Sequence, residues 1–338
     1  MKHVIVTSMP NEKLAARWNA FLGRARFATH YVTPSYFTDP YVRGERFAVL
    51  AVDKNDKIAA VLTGVRSDDR LVSGMFSRPQ MVFGNGVDKA KAVAALMSGL
   101  DELGADSALT DSYSWEALDV DSYGMRESES GSDTSIVMLD LAKGSDALFG
   151  GFSQTRRNEI RKAETQNLVE IKEPETFIEI EALYRIHCDW NARKGNPPDT
   201  LEQMQTAISQ RDNRRVFIAK VDGKTIAGSF YRFCPGGVVE YAANFSLPEY
   251  QRLRPNDLIG WHAIKWACEN GFSHFSMGGA HLFLRRFGGE IVTTYRYRRD
   301  ASRFRLHDLR DNAREFGIGA YQRLPENVRS GMRKILAR

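Results

Sequence analysis

The stretch RVFIAKVDGKTIAGSFYRF, residues 215–233, repeats the pattern of an earlier part of the chain. Its two runs of β-branched and aromatic residues flank Asp222 and Gly223, a dipeptide that favours a tight turn between antiparallel strands. The earlier stretch, FAVLAVDKNDKIAAVLTGV at residues 47–65, has the same two runs around its own polar turn. Both stretches are therefore predicted to be β-hairpins in corresponding positions of two similar units.

The elements that follow each hairpin also correspond in order and spacing. After each hairpin comes a strand-like run, then a helix-like run that ends at a glycine, then another strand-like run. Equivalent elements lie about 168 residues apart, as positions 47 and 215 do, which indicates an internal duplication. The fold class is therefore predicted to be α/β, with two tandem units. The corresponding runs are 71–76 and 238–245, 87–103 and 256–270, and 108–113 and 274–279.

The boundary between the units is predicted from glycine content. The segment 140–152, DLAKGSDALFGGF, lies between the repeats and has the composition of a linker. We therefore expect one domain over residues 1–145 and a second over 146–316. The terminal segment 317–338 is predicted to contain a basic amphipathic helix, which could pack on the first domain or lie on a phosphate-bearing surface.

Composition narrows the class of protein. The 338 residues are 43% hydrophobic and 26% charged, as expected for a globular protein, and the net charge of +5 permits an anionic partner. The three cysteines have no paired spacing, which favours a reducing, cytoplasmic location. The longest apolar runs are too short for a transmembrane span, so only peripheral membrane contact stays open. The histidines show no paired spacing either, so no metal is expected.

The stretch 155–171, TRRNEIRKAETQNLVEI, is a predicted helix with an unusual charge distribution. Ser153 or Thr155 can cap it, but Arg156 and Arg157 then lie at the end where the helix dipole already disfavours cations. An anion bound at this end would reverse that cost. The alternative is a solvated basic face. The charge pattern alone leaves the bound anion and the solvated face open. The family resemblance described below favours the bound anion.

Three stretches of the second unit resemble a known family. They are RRNEIRKAE (156–164), the region 238–279 that contains VVEYAANFSLPEYQRLRPNDL, and LFLRRFGGEIVTTYRYR (282–298). They are similar to the basic helix, the donor groove and the following segment of GNAT-fold acyltransferases. Two such units in one chain resemble the Fem-type aminoacyl transferases of cell-wall bridge synthesis and the BioF2-like GNAT-domain proteins. The resemblance implies a mixed sheet whose central strands splay apart to admit an acyl donor.

One departure from the wider GNAT pattern bears on the donor. GNAT enzymes that use acetyl-CoA hold its pyrophosphate on a glycine-rich turn, but the corresponding turn here is QRLRPN, residues 251–256. Arg254 and Asn256 stand where glycines would allow a close backbone approach. The resemblance to Fem-type proteins, which also lack these glycines, implies aminoacyl-tRNA as the donor, and acyl-CoA is the alternative. In either case the donor is a co-substrate, and no bound cofactor is expected.

The resemblance also assigns candidate site residues. The splayed strand corresponds to 238–245, so its residues should line the donor carbonyl, and His281 follows the last core strand. Basic and aromatic residues of 155–171 and 187–199 would form a rim for a phosphorylated acceptor. The catalytic candidates are Tyr241, Asn244 and His281; the donor-binding candidates are Phe245, Arg254, Asn256 and Arg285; the acceptor-binding candidates are Arg157, Arg161, Trp190 and Lys194.

The sequence thus predicts an acyltransferase. It would move an acyl or aminoacyl group to an amine of a cell-wall, nucleotide-sugar or surface-polysaccharide precursor, with tRNA as a partner and no DNA. The first alternative is an acyl-CoA-dependent N-acetyltransferase. The second is a catalytically inactive basic protein that binds tRNA or polysaccharide, for which tight, salt-sensitive binding without turnover is expected.

Overall fold

A computed structural model describes residues 1–128 and 135–323 of the chain. The predicted terminal helix over 317–338 lies outside the described residues from position 324 onward. The strands are β1 (Lys2–Val6), β2 (Glu45–Val52), β3 (Ile58–Ser67), β4 (Arg70–Met75), β5 (Arg78–Pro79), β6 (Met81–Phe83), β7 (Leu109–Ser114), β8 (Arg126–Glu127), β9 (Ser135–Asp140), β10 (Glu170–Lys172), β11 (Arg214–Val221), β12 (Lys224–Phe233), β13 (Val238–Ser246), β14 (His274–Ser276), β15 (Glu290–Thr293) and β16 (Tyr295–Asp300). The helices are α1 (Glu12–Leu22), α2 (Lys89–Leu103), α3 (Ser145–Gly151), α4 (Gln154–Gln166), α5 (Phe177–Lys194), α6 (Leu201–Ser209), α7 (Pro255–Glu269), α8 (Leu282–Arg285) and α9 (Leu306–Arg323).

The predicted duplication is present as two mixed sheets. One has the strand order β1-β2-β3-β4-β7-β16-β8, and the other has the order β10-β11-β12-β13-β14-β9-β15. The predicted hairpins are β2–β3 and β11–β12. In each sheet the next strand then pairs in parallel with a strand that follows a helix, β4 with β7 and β13 with β14. The α/β class with two tandem units is confirmed.

The two sheets exchange strands across the predicted domain boundary. β9 precedes residue 145 but pairs with β14 and β15 of the second sheet. β16 lies within 146–316 but pairs with β7 and β8 of the first sheet. Each unit is therefore completed by a strand from the other half of the sequence, and the division at 145/146 remains a prediction for the domains as folding units.

The glycine-rich segment between the units is not an extended linker. Residues 145–151 form α3, which begins after Gly144 in a positive-φ conformation and ends at Phe152. Phe152 is buried, and its ring packs 5.2 Å from that of Phe287. Glycine content alone therefore does not make this segment a flexible connection, because its aromatic side chains anchor it to the core.

Helices cover both faces of the second sheet. Alternate residues of β11 point to opposite faces: Phe217 belongs to the core formed with α7, and Val216 and Ile218 belong to the core formed with α5 and α6. α7 and α5 therefore lie on opposite sides of the central strands, and we call these the α7 face and the α5 face. Any opening between β13 and β14 connects the two faces.

β16 is an interior strand, although its charged sequence, YRYRRD, is typical of an edge strand with a solvated face. It lies between β7 and β8, and Arg296 and Arg298 are buried. Both guanidiniums bind the buried carboxylate of Asp111, at N–O distances of 2.9 to 3.1 Å. The strand can lie inside the sheet because a carboxylate from a distant strand offsets the burial of these cations.

Candidate active site

β13 and β14 separate after three paired residues, as the sequence predicted. Their parallel pairing covers Val238 to Glu240 on β13 and ends there. On the other side of β13, Tyr231 is opposite Tyr241 while its neighbour Phe230 is opposite Ala243. Ala242 is therefore the extra residue of a β-bulge, which bends the strand and frees a backbone group from the ladder. The residues Tyr241 to Phe245 line this gap, and we call it the strand gap.

The side chains at the strand gap divide between the two faces of the sheet. Tyr241 lies on the α7 face, with its ring 5.9 Å from that of Tyr231. Asn244 is opposite Ser229 in the ladder and shares the α7 face. Phe245 lies on the α5 face, where its ring is 4.5 Å from the ring of His187. A reactant that enters from the α7 face would thus contact Tyr241 and Asn244, and one that enters from the α5 face would contact Phe245.

Tyr241 is suited to donate a hydrogen bond within the strand gap. Burial raises the pKa of its phenol above the ordinary value, and the charge of Arg156 opposes that rise without cancelling it. The phenol therefore carries its proton at neutral pH. A protonated hydroxyl beside the bulge can donate to the oxygen of a carbonyl that develops negative charge during attack by an amine.

The amino terminus of α7 is covered by α4. Arg254 precedes the helix in a left-handed conformation, with φ of 57°, and its guanidinium lies 2.7 Å from the carboxylate of Glu159 on α4. Asp257, in the first turn of α7, is buried and forms an ion pair with Arg156 of α4. Each of the two carboxylates at this helix end is thus paired with a guanidinium, and these ion pairs occupy the place where a pyrophosphate would bind. The predicted donor residue Arg254 is thus engaged with Glu159, while Asn256 donates to the hydroxyl of Ser246 at 3.2 Å.

The arginines at the start of α4 bind groups of the protein itself. Ser153 caps the helix, as predicted, and Arg156 meets the carboxylate of Asp257 and donates to the carbonyl of Phe283 at 3.1 Å. The anion expected at this helix end is therefore a side chain of α7. Asp257 of α7 is that ion-pair partner.

Arg157 and Arg161 do not join Trp190 and Lys194 in one rim, which corrects the sequence analysis. The guanidinium of Arg157 donates to carbonyls at the end of α3, one of them that of Gly150 at 2.7 Å. That of Arg161 lies 5.3 Å from the ring centre of Phe149. Both belong to α4, which packs on α7, whereas Trp190 and Lys194 belong to α5 on the other face. Sequence spacing could not reveal this separation.

Trp190 and Lys194 do reach the strand gap, from the α5 face. The ring of Trp190 is 5.5 Å from that of Phe245, and the ammonium of Lys194 is 5.8 Å from the ring centre of Trp190. Arg193 of the same helix donates to the carbonyl of Ser246 at 3.3 Å. The end of α5 therefore forms an aromatic and basic wall beside the last residues of β13.

A cavity that the sequence did not reveal opens beside the bulge on the α5 face. It has a volume of about 300 Å³, and it is bounded by Ala242, Ala243 and Phe245 of the splayed strand. A second cavity of about 300 Å³ shares Tyr41, Arg78 and Arg232 with it. The two cavities form one inter-unit cleft, because Tyr41 and Arg78 come from the first half of the chain. Repeat analysis treats each unit separately and so missed it. The lining of the inter-unit cleft also includes Tyr31, Tyr36, His187 and Arg214.

Buried ion pairs fix the walls of the inter-unit cleft. Arg78 donates to the buried carboxylate of Glu240 at 2.6 Å. Arg214 lies 2.7 Å from the carboxylate of Asp39, which also contacts the ring of His30 at 2.8 Å. Burial raises the pKa of Asp39, but His30 and Arg214 outweigh it and lower that pKa to about 2. The charged walls are thus held in position from both halves of the chain.

His281 and Arg285 lie on the loop that follows β14. His281 is exposed and begins α8, and its ring stacks with that of Phe283 at 6.3 Å. The guanidinium of Arg285 donates to the carbonyl of Ala280 and so fixes the loop. The same loop closes on the strand gap at Gly278, where an added Cβ would lie 3.0 Å from the carbonyl oxygen of Tyr241. The roles predicted for these two residues remain predictions.

Residues 1–128 and 135–323, which the structure describes, contain no group of three or more histidine, cysteine, aspartate or glutamate side chains arranged to hold a metal ion. None of their helices combines the length and the apolar character that crossing a membrane requires.

Comparisons with known proteins agree with this geometry. Residues 151–299 match a family described as an acetyltransferase (GNAT) domain. The structure of FemX is similar over 88% of this chain and 97% of its own, with a TM-score of 0.68 and 12% identity. L-PGS from Bacillus licheniformis is similar over 89% and 96%, with a TM-score of 0.56 and 13% identity. A tandem GNAT protein from the clavulanic acid biosynthesis pathway is similar over 89% and 99%, with a TM-score of 0.52 and 11% identity. No curated protein sequence gives a significant match.

Proposed function

We propose that this chain, an acyltransferase of the Fem-type tandem GNAT family, transfers an aminoacyl group from aminoacyl-tRNA to an amine of a phosphorylated precursor. The precursor would belong to cell-wall, nucleotide-sugar or surface-polysaccharide synthesis. The observation that carries the proposal is the amino terminus of α7, where the ion pairs Arg254–Glu159 and Arg156–Asp257 occupy the place of a phosphate site. A donor that relied on this helix end for its pyrophosphate would have to break these pairs, the second of which is buried.

The reaction follows from the strand gap. The donor ester enters with its carbonyl beside the bulge at Ala242, and the acceptor amine attacks the carbonyl carbon. The N–C bond forms, the C–O bond to the ribose breaks, and the amine proton passes to the ribose oxygen that leaves. The hydroxyl of Tyr241 donates to the carbonyl oxygen as it becomes negative, while Asn244 lies on the same face to orient the reactants.

The acceptor enters from the inter-unit cleft. Its volume and its arginine and tyrosine lining suit a sugar phosphate or a nucleotide-sugar, because guanidiniums bind phosphate oxygens and tyrosines stack on rings. The amine would reach the bulge past Ala243 and Phe245. Trp190 and Lys194 lie on the other side of Phe245 and would contact the distal part of the acceptor.

The test is a transfer assay with two donors. The full chain is incubated with a pool of charged tRNA or with acetyl-CoA, together with amine-bearing sugar phosphates and nucleotide-sugars, and acceptor masses are measured. The proposal expects an aminoacyl mass increase with charged tRNA. Release of CoA thiol with acetylated product instead would favour the N-acetyltransferase alternative. Tight, salt-sensitive binding of tRNA without product would identify a binding protein.

A further inference from the structure

α9 turns its polar side toward the protein and its apolar side toward solvent. Asp308 and Asp311, three residues apart and so on one side of the helix, bind Arg298 of β16 at 3.1 and 2.8 Å. Leu306, Leu309 and Phe316 lie on the other side by the same spacing. Their exposed fractions are 56%, 57% and 80%. In an ordinary surface helix this arrangement is reversed, because the apolar side is the one that gains from burial.

The turn that leads into α9 adds a further exposed aromatic residue. Phe304 and Arg305 both have left-handed backbones, with φ of 59° and 51°. This conformation is costly for a bulky residue, and such strain persists where the surroundings or a function require it. The ring of Phe304 is 73% exposed, so burial within the chain does not offset the cost. The turn projects it beside the apolar side of α9.

Unpaired cations surround this apolar surface. Arg303, Arg305 and Arg310 are exposed, and none of them forms an ion pair with another described residue. Arg305 also lines a cavity of about 230 Å³ between α9 and the strands β8 and β16, which it shares with Arg126. The same cavity is lined by Glu127, Asp300 and Asp308, so its own charge is mixed. The excess positive charge beside the apolar side of α9 comes from the exposed Arg303, Arg305 and Arg310, which matches the chemistry of phosphates attached to acyl chains.

We propose that α9 and its leading turn dock the protein on an anionic lipid bilayer. Leu306, Leu309, Phe304 and Phe316 would enter the headgroup boundary, and the surrounding arginines would bind lipid phosphates. The segment 324–338 complements this surface poorly, because it carries four basic residues and one acidic residue and would repel the same arginines. The inference is independent of the donor and acceptor proposed above.

Vesicle sedimentation of the full chain tests the proposal. The vesicles are phosphatidylcholine alone or phosphatidylcholine with about a third phosphatidylglycerol, at physiological salt. Binding is expected to the anionic vesicles, to weaken as salt rises, and to be much weaker on phosphatidylcholine alone. The double variant Leu309→Glu/Phe316→Glu should reduce the partition coefficient at least about tenfold. Each substitution removes the favourable free energy of moving an apolar side chain from water into the bilayer. The triple variant Arg303→Glu/Arg305→Glu/Arg310→Glu should reduce it by at least a similar factor.

Matched controls separate the surface from general effects. Ile178→Glu changes an equally exposed apolar residue, 76% exposed, on α5, and Arg24→Glu changes an exposed arginine two residues after the end of α1. Both should bind like the parent, and all variants should keep the parent melting temperature and vesicle-free transfer activity. Absence of binding to anionic vesicles, or binding that the α9 variants leave unchanged, would overturn the proposal. The proposal would also be overturned if a chain truncated after Arg323 bound these vesicles while the full chain did not. A dimer in solution that the double variant dissociates would overturn it as well.

Discussion

The buried guanidinium of Arg156 depends on carboxylates of its own helix and of α7. Burial lowers its pKa to about 10, the charge of Glu159 opposes this shift, and Asp257 is the direct ion-pair partner. Replacing Asp257 by Asn removes that partner from the core, which should cost about 3–5 kcal/mol of unfolding free energy. Urea denaturation measures this cost. Glu181→Gln is the control, because Glu181 pairs with the exposed Arg185, and its loss should cost less than about 1 kcal/mol.

Tyr241 should matter for catalysis more than for stability. Tyr241→Phe removes only the hydroxyl that would donate to the developing oxyanion, so kcat should fall by about 10²–10³ with KM little changed. Because the pKa of the phenol is raised, the parent rate should not fall through its deprotonation between pH 8 and about 10. Tyr231→Phe is the control on the same face: its hydroxyl is buried beyond the strand gap, and its kcat should stay near that of the parent.

Local signals in the sequence predicted caps and turns but not long-range partners. Ser153 was one of the two residues predicted to cap α4, because capping acts over three residues. Asp257 could not be recognised as the partner of Arg156, because the pair is separated by 101 positions and joins two helices. The hypothesis of a bound anion was sound in its physics, since a helix start with two cations does require an anion. The sequence could not show that the anion is internal.

The order of strands and helices was predictable, whereas the strand exchange was not. Period-two patterns and turn residues identify a strand and its hairpin partner, and both hairpins formed as expected. A lone strand such as β9 or β16 carries the same pattern whichever sheet it joins. The choice for β16 depends on Asp111 of β7, whose carboxylate receives both of its buried arginines.

Removing the charge of Asp111 should therefore loosen β16 from the first sheet. Asp111→Asn leaves Arg296 and Arg298 buried with fewer partners, at a cost of about 3 kcal/mol or more in unfolding free energy. Burial opposes ionisation of Asp111, but the two arginines hold its pKa below the ordinary value. Its contribution is thus present above the unfolded pKa of about 4 and is lost as pH falls below it.

Acid unfolding followed by circular dichroism tests this pH dependence. The parent should lose stability as pH falls below about 4, and Asp111→Asn should show a shallower loss. Asp101→Asn is the control, because Asp101 pairs with Arg299 on the surface and its side chain is 47% exposed; its effect should stay below about 1 kcal/mol. An unchanged acid slope in Asp111→Asn would contradict the assignment.

The two halves of the chain form one body around the inter-unit cleft. The strand gap belongs to the second sheet, yet Tyr41 and Arg78 of the first half complete the cavity beside it. Under the proposed function, a single unit could hold a donor carbonyl but would leave the acceptor side open to water. The exchanged strands and the buried ion pairs across the cleft would then serve the proposed reaction as well as the fold.

The contact between Asp39 and Arg214 is the strongest candidate for that inter-unit coupling. Both side chains are buried, 2.7 Å apart, and His30 shares the carboxylate. Asp39→Asn and Arg214→Met should each cost about 3–5 kcal/mol of unfolding free energy, because each leaves one partner unpaired. The double variant should cost less than the sum of the two.

The lowered pKa of Asp39, about 2, also predicts a pH dependence of the unfolding free energy. The contribution of Asp39 is fully present above its unfolded pKa of about 4 and is lost as pH falls from about 4 to about 2. Urea denaturation at pH 7 and pH 3 measures both effects, with Arg211→Met as an exposed control. Additive costs in the double variant, or an acid slope that Asp39→Asn leaves intact, would show that the halves are held together elsewhere.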